Sequence, residues 1–123
     1  TRAALDAFRL AVETGDLQRL LDVLAPDVVL LGDGGGIKQA VLRPIVGADR
    51  VARLLLAGLR RTPEEVSLRS TEVNGHPALI VDLDGRLDTV VAVRFDDGAI
   101  TGLYAVRNPE KLSHLDQEMA LRR

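Results

Sequence analysis

Gly32-Asp33-Gly34-Gly35-Gly36 is the segment whose residue types first suggest chemistry, because backbone N–H groups left bare by glycine can cradle an anion. The residues that follow argue against phosphate. The dinucleotide fingerprint needs a further glycine at the offset where Ile37 stands, and the nucleotide-triphosphate loop needs Gly-Lys-Ser/Thr where this chain has Gly36-Ile37-Lys38. No helix is expected directly after the glycines either. A turn that brings backbone close to something else is the simpler reading.

Other chemistry is sparse. Asp82, Asp84 and Asp88 resemble calcium-loop carboxylates only faintly, since the glycine is misplaced and no glutamate closes the loop. His76 and His114 are the two histidines and do not share a ligand spacing, and there is no cysteine, so we expect neither a metal nor a cofactor. No G-x-S-x-G elbow occurs, so a serine triad is not expected. General acid–base work needs only one carboxylate in an apolar pocket, and for that role Asp33 and Tyr104 are the best candidates. The arginines Arg50, Arg53 and Arg60 could track a phosphate backbone, but Asp49 and Glu64 lie nearby and no aromatic is available to stack on a base. They read as a solvated helix face, and direct nucleic-acid binding by this domain is not expected.

The elements that must carry these residues are legible from spacing. The chain has 123 residues, enough for one core, and its apolar content is aliphatic, with Phe8, Phe95 and Tyr104 as the aromatics. Leu5, Phe8 and Val12 predict a first helix over 3–14, which stops at Gly15, and Asp16 caps a second with Leu17, Leu20, Leu21 and Leu24 on one face. Pro26 ends that helix, and Asp27–Leu31 reads as an apolar strand. A second strand over Gln39–Val46, broken by Pro44, suits a sheet edge. Val51, Leu54, Leu55 and Leu59 predict a third helix over 48–61 that covers a sheet.

Asn74-Gly75, Asp84-Gly85 and Asp97-Gly98 then predict three tight hairpins and a four-stranded meander, with strands near Val66–Val73, Ala78–Leu83, Arg86–Phe95 and Ile100–Arg107. In the third of these Leu87, Thr89, Val91, Val93 and Phe95 share one face, and Asp88, Val90, Ala92, Arg94 and Asp96 the other. Asn108 and Pro109 open a short C-terminal helix with Leu112, Leu115 and Met119 on one side. The expected class is α+β, with helices on one face of a largely antiparallel sheet in a single domain. No apolar run is long enough to span a bilayer and no leader pattern is present, so a cytoplasmic, non-membrane domain is the expectation.

This order of elements resembles the cone of the SnoaL-like, nuclear-transport-factor-like superfamily. Three stretches are more specific: Asp33–Gly36, Arg43–Arg53 (RPIVGADRVAR) and Val106–Leu112 (VRNPEKL). Together they resemble the C-terminal extension of a class of bacterial extracytoplasmic-function (ECF) sigma factors, whose glycine motif and N-P-D/E-K-L motif they match apart from Ile37 before Lys38. The resemblance implies a regulator that touches the sigma regions of a parent chain and, through them, RNA polymerase. Its contact residues would be Asp33, Gly34, Gly35, Gly36 and Lys38 with Asn108, Pro109, Glu110, Lys111 and Leu112. It also implies that 1–123 is a piece of a longer chain lacking its N-terminal sigma regions. The superfamily further suggests a homodimer through the outer sheet face, and a small apolar ligand or an isomerase or hydratase reaction inside the cone.

Overall fold

The computed structural model describes residues 2–33 and 44–106. Three helices, α1 (Arg2–Thr14), α2 (Leu17–Val23) and α3 (Ala48–Arg61), form one layer against a six-stranded sheet. The strands are β1 (Leu24–Asp33), β2 (Ile45–Val46), β3 (Val66–Val73), β4 (His76–Leu83), β5 (Arg86–Asp96) and β6 (Ala99–Val106). They lie in the order β2-β1-β6-β5-β4-β3. This is the α+β cone expected from the sequence, with a curved, mixed sheet.

The local signals explain the element ends. Gly15 takes φ +69° and stops α1, and the carboxylate of Asp16 accepts the Arg19 backbone N–H at 3.2 Å to cap α2. Asp16→Ala should therefore lower the unfolding free energy by about 0.5–2 kcal/mol, and Asp16→Asn by much less, read from chemical denaturation curves. The helix α3 has the predicted bounds. In each of the three hairpins both central residues have positive φ: Asn74 and Gly75 at 53° and 78°, Asp84 and Gly85 at 51° and 80°, Asp97 and Gly98 at 53° and 79°. That is the mirror-image turn whose twist matches the flanking strands.

Two strands differ from expectation. The first is longer, Leu24–Asp33, because Pro26 can sit near its start while later residues pair with β6. The second is described only as Ile45–Val46, paired with β1 at the sheet edge; Pro44 is not in the strand, and residues 39–43 of its expected span lie outside the described residues. The expected C-terminal helix also lies outside them.

The core fills the space between the layers. Leu5, Phe8 and Ala11 from α1, Leu20 from α2 and Val51, Ala52 and Leu56 from α3 meet Val28, Leu30, Leu79, Val93, Ile100 and Leu103 from the sheet. The predicted alternation of β5 holds: Thr89 and Val93 are buried, and Val91 and Phe95 pack against the core.

Candidate functional site

Parallel pairing of β1 with β6 is the feature that organises the candidate site. Their register places Leu30 beside Leu103, Leu31 beside Tyr104, Gly32 beside Ala105 and Asp33 beside Val106. Asp33 is the last residue of β1 and Val106 the last of β6, so the two strands end as neighbours, about 4.8 Å apart in the pairing direction. The chain enters the glycine motif from one of these ends and the Asn108–Leu112 motif from the other. Gly34, Gly35, Gly36, Lys38, Asn108, Pro109, Glu110, Lys111 and Leu112 themselves lie outside the described residues.

Tyr104 is not inside the cone. The preceding residue, Leu103, is buried in the core, so alternation turns Tyr104 to the sheet face away from the helices, where it is 42% exposed. The helix side of the sheet around Leu30, Leu79, Val93 and Leu103 is packed with aliphatic side chains and Phe8. The strand register thus places Tyr104, named above as a candidate acid or base, on the outer face of the sheet and not among the core side chains beneath the helices.

The outer face carries a continuous apolar row that sequence reasoning missed. Leu31, Tyr104, Ala92 and Ala78 are successive register partners across β1, β6, β5 and β4. A depression of about 1070 Å³ follows this row, with the small Ala92 and Gly102 between the larger Val29, Leu31, Val73, His76 and Tyr104. Leu31, Val46, Val73 and Tyr104 remain 38–50% exposed there, on a face that no described helix covers. The signal was available: Val90 and Ala92 make the second face of β5 apolar as well, and Val28–Leu31 is apolar without alternation.

Charged groups edge the depression. Arg94 lies 3.5 Å from Asp96, whose carboxylate also accepts the Thr101 hydroxyl at 2.6 Å, and Asp27 is exposed on β1. Gly102 faces the Arg94 stem, and a Cβ added there would stand 3.4 Å from the Arg94 Cβ. Further along the same face Asp82 is buried but held by two hydrogen bonds from Arg69, at 2.6 and 3.1 Å. That bidentate pairing is what a desolvated carboxylate requires. The calcium-like trio resolves into separate tasks: Asp82 pairs with Arg69, Asp84 accepts the Glu65 backbone N–H, and Asp88 accepts the Thr89 hydroxyl. No cluster of potential metal ligands occurs among the described residues.

Comparison with known proteins gives this arrangement a context. The chain is 34% identical to the probable ECF RNA polymerase sigma factor SigI of Mycobacterium tuberculosis over 118 residues, 96% of this chain and 38% of that protein. It is 27% identical to the ECF RNA polymerase sigma factor SigJ of the same organism over 112 residues, 84% of this chain and 36% of that protein. The crystal structure of SigJ superposes with a TM-score of 0.68 at 26% identity, over 89% of this chain and 42% of the other. The chain is homologous to these ECF sigma factors over their C-terminal part. It spans little more than a third of their length. An NTF2-like protein of unknown function from Cytophaga hutchinsonii matches with a TM-score of 0.61 at 15% identity, over 90% of this chain and 92% of the other, a likeness of fold alone. The sigma-factor homologue thus has the SnoaL-like, NTF2-like fold that its motifs implied. No family model matches the chain. No helix among the described residues is long and apolar enough to cross a membrane.

Proposed function

We propose that this domain is a regulatory protein-interaction module of an ECF RNA polymerase sigma factor, which contacts the sigma regions and sets how readily they engage promoter and polymerase. The observation that supports this most is the adjacency of Asp33 and Val106. Two motifs more than seventy positions apart in sequence leave the sheet from paired strand ends, which is what a two-part contact surface requires. A glycine-rich segment lets the partner's backbone approach closely, and a segment with Leu112 supplies an apolar anchor beside Glu110 and Lys111.

The test is promoter-directed transcription by a SigI polypeptide whose matching stretch is replaced by this chain. Replacing Gly34, Gly35 and Gly36 by alanines, or Asn108 and Pro109 by alanines, should change promoter-dependent initiation by about tenfold. The same substitutions should alter binding of the isolated chain to the remaining portion of SigI. Unchanged transcription together with unchanged binding would reject the reading.

A further inference from the structure

We propose that the outward face of α3 holds the phosphate backbone of duplex DNA, so that this domain adds a sequence-independent contact to the promoter engaged by its parent polypeptide. Only the identity of the DNA rests on the sigma-factor reading; the phosphate contact stands on α3 itself.

The helix has two distinct sides. Val51, Ala52 and Leu56 are buried in the core, while Arg50, Arg53, Arg60 and Arg61 are all exposed. At 3.6 residues per turn these four arginines fall within about 100° of one another around the helix axis, and Arg50 and Arg60 stand about 15 Å apart along it. A row of that length spans about four phosphates of one DNA strand, at about 3.4 Å of axis each. Guanidinium groups suit such a row, because each offers paired N–H donors to a phosphate.

Three findings separate this face from an ordinary solvated one. Asp49 is the carboxylate carried by the helix, and Arg53 engages it, with Nε donating to both its oxygens at 2.9 and 3.0 Å. The side chains of Arg50, Arg60 and Arg61 have no ion-pair partner among the described residues. Glu64 and Glu65 follow Pro63 beyond the helix end, and Glu65 is tied to a turn of the sheet: its N–H donates to the Asp84 carboxylate and its carbonyl accepts the Asp84 N–H, both at 2.9 Å. Lastly, Arg60 and Arg61 in the last turn suit the negative end of the helix dipole, but Arg50 in the first turn opposes the positive end. Helix stability accounts for the first two and not for Arg50. A phosphate backbone accounts for all three. It also needs no aromatic side chain, since stacking serves unpaired bases and not duplex phosphates.

The SigI hybrid described above, assembled with core RNA polymerase, tests this by fluorescence anisotropy on the promoter duplex and on a scrambled duplex, from 50 to 200 mM salt. Each of Arg50→Gln, Arg60→Gln and Arg61→Gln should reduce the slope of log affinity against log salt by about 0.9. The three together should weaken binding by at least about tenfold at 50 mM salt, and by the same factor on both duplexes. Asp49→Asn releases Arg53 and should tighten binding instead. All these positions are exposed, and melting temperatures within a few degrees of the parent would show that the variants fold. A triple variant within twofold of the parent, with an unchanged slope, would overturn the inference. Unchanged DNA binding with weaker assembly onto core polymerase would overturn it too, and would give the face to an acidic protein surface. If glycine-motif variants change transcription while the arginine variants leave the slope alone, only the present assignment falls. If the arginines set the salt slope of the isolated chain on either duplex while the glycine-motif variants have no effect, the phosphate contact stands without the sigma-factor reading.

Discussion

Ile100→Ala is expected to lower the unfolding free energy by about 2–5 kcal/mol, the usual range for emptying a core site of this size. Ile100 has no exposed surface and sits in β6, where Leu24 of β1 and Phe95 of β5 are its register partners. It belongs to the cluster that joins Leu20 of α2 and Val51 of α3 to the sheet, so the neighbours that would have to close the cavity belong to several elements. Each is held by its own pairing or helix, and collapse into the hole is correspondingly restricted. Ile100→Val, which removes one methylene, should cost only about 0.5–1.5 kcal/mol. Urea denaturation followed by circular dichroism reads both values, with an unchanged slope showing that the unfolded state is not the cause. A loss below about 1 kcal/mol for the alanine variant would mean that the core between helices and sheet repacks freely, contrary to ordinary core behaviour.

Gly47→Ala is the second large effect, expected to cost about 1–3 kcal/mol through the backbone alone. Gly47 stands between β2 and α3 at φ +114° and ψ 134°, a region that residues with a Cβ avoid. An added Cβ would meet no atom within 4 Å, so no steric contact contributes. What holds the conformation is hydrogen bonding: the Gly47 N–H donates to the Val28 carbonyl at 2.9 Å, and its own carbonyl accepts the first helical N–H, from Val51, at 3.0 Å. Relaxing φ to an ordinary value would break the tie between β1 and the start of α3. Gly58→Ala is the contrasting control. Gly58 is exposed within α3, has no positive φ and also has open space at Cβ, so alanine there should stabilise the domain by about 0.5–1 kcal/mol. Opposite signs for two glycine-to-alanine changes, read from the same denaturation assay, are the expected result.

Gly47 also shows how much of the chain was legible beforehand. It lies in the stretch RPIVGADRVAR, which pointed to sigma factors as a string of letters, and the structure supplies a physical reason for its glycine. The Asp33–Gly36 and Asn108–Leu112 motifs were equally readable as strings. Their relation to each other was not, because it depends on which strand lies beside β1. Tyr104 illustrates the same limit. Its residue type suggested acid–base work, but the face of β6 it occupies follows from the register with β1 and β5.

What the sequence determined by itself is everything that depends on neighbours a few residues away. The apolar spacing of α1 and α3, the Asp16 cap and the Gly15 stop set the helices, and three Asn/Asp-Gly pairs set the hairpins and with them the order β3-β4-β5-β6. These are local preferences of φ and of side-chain period, and they act before any distant contact forms. The tertiary structure decided the rest. The return of β6 alongside β1 in parallel joins residues about seventy positions apart, and no turn dictates it. It follows from burying Val28, Leu30, Ile100 and Leu103 under one helical layer. That burial also decides which face of a sheet apolar on both sides meets the helices, and so sets the paired ends at Asp33 and Val106 and places Leu31 and Tyr104 on the other face. The physical reason is that pairing between distant strands is selected by cooperative burial of one whole face, a property of the assembled sheet and not of any single strand.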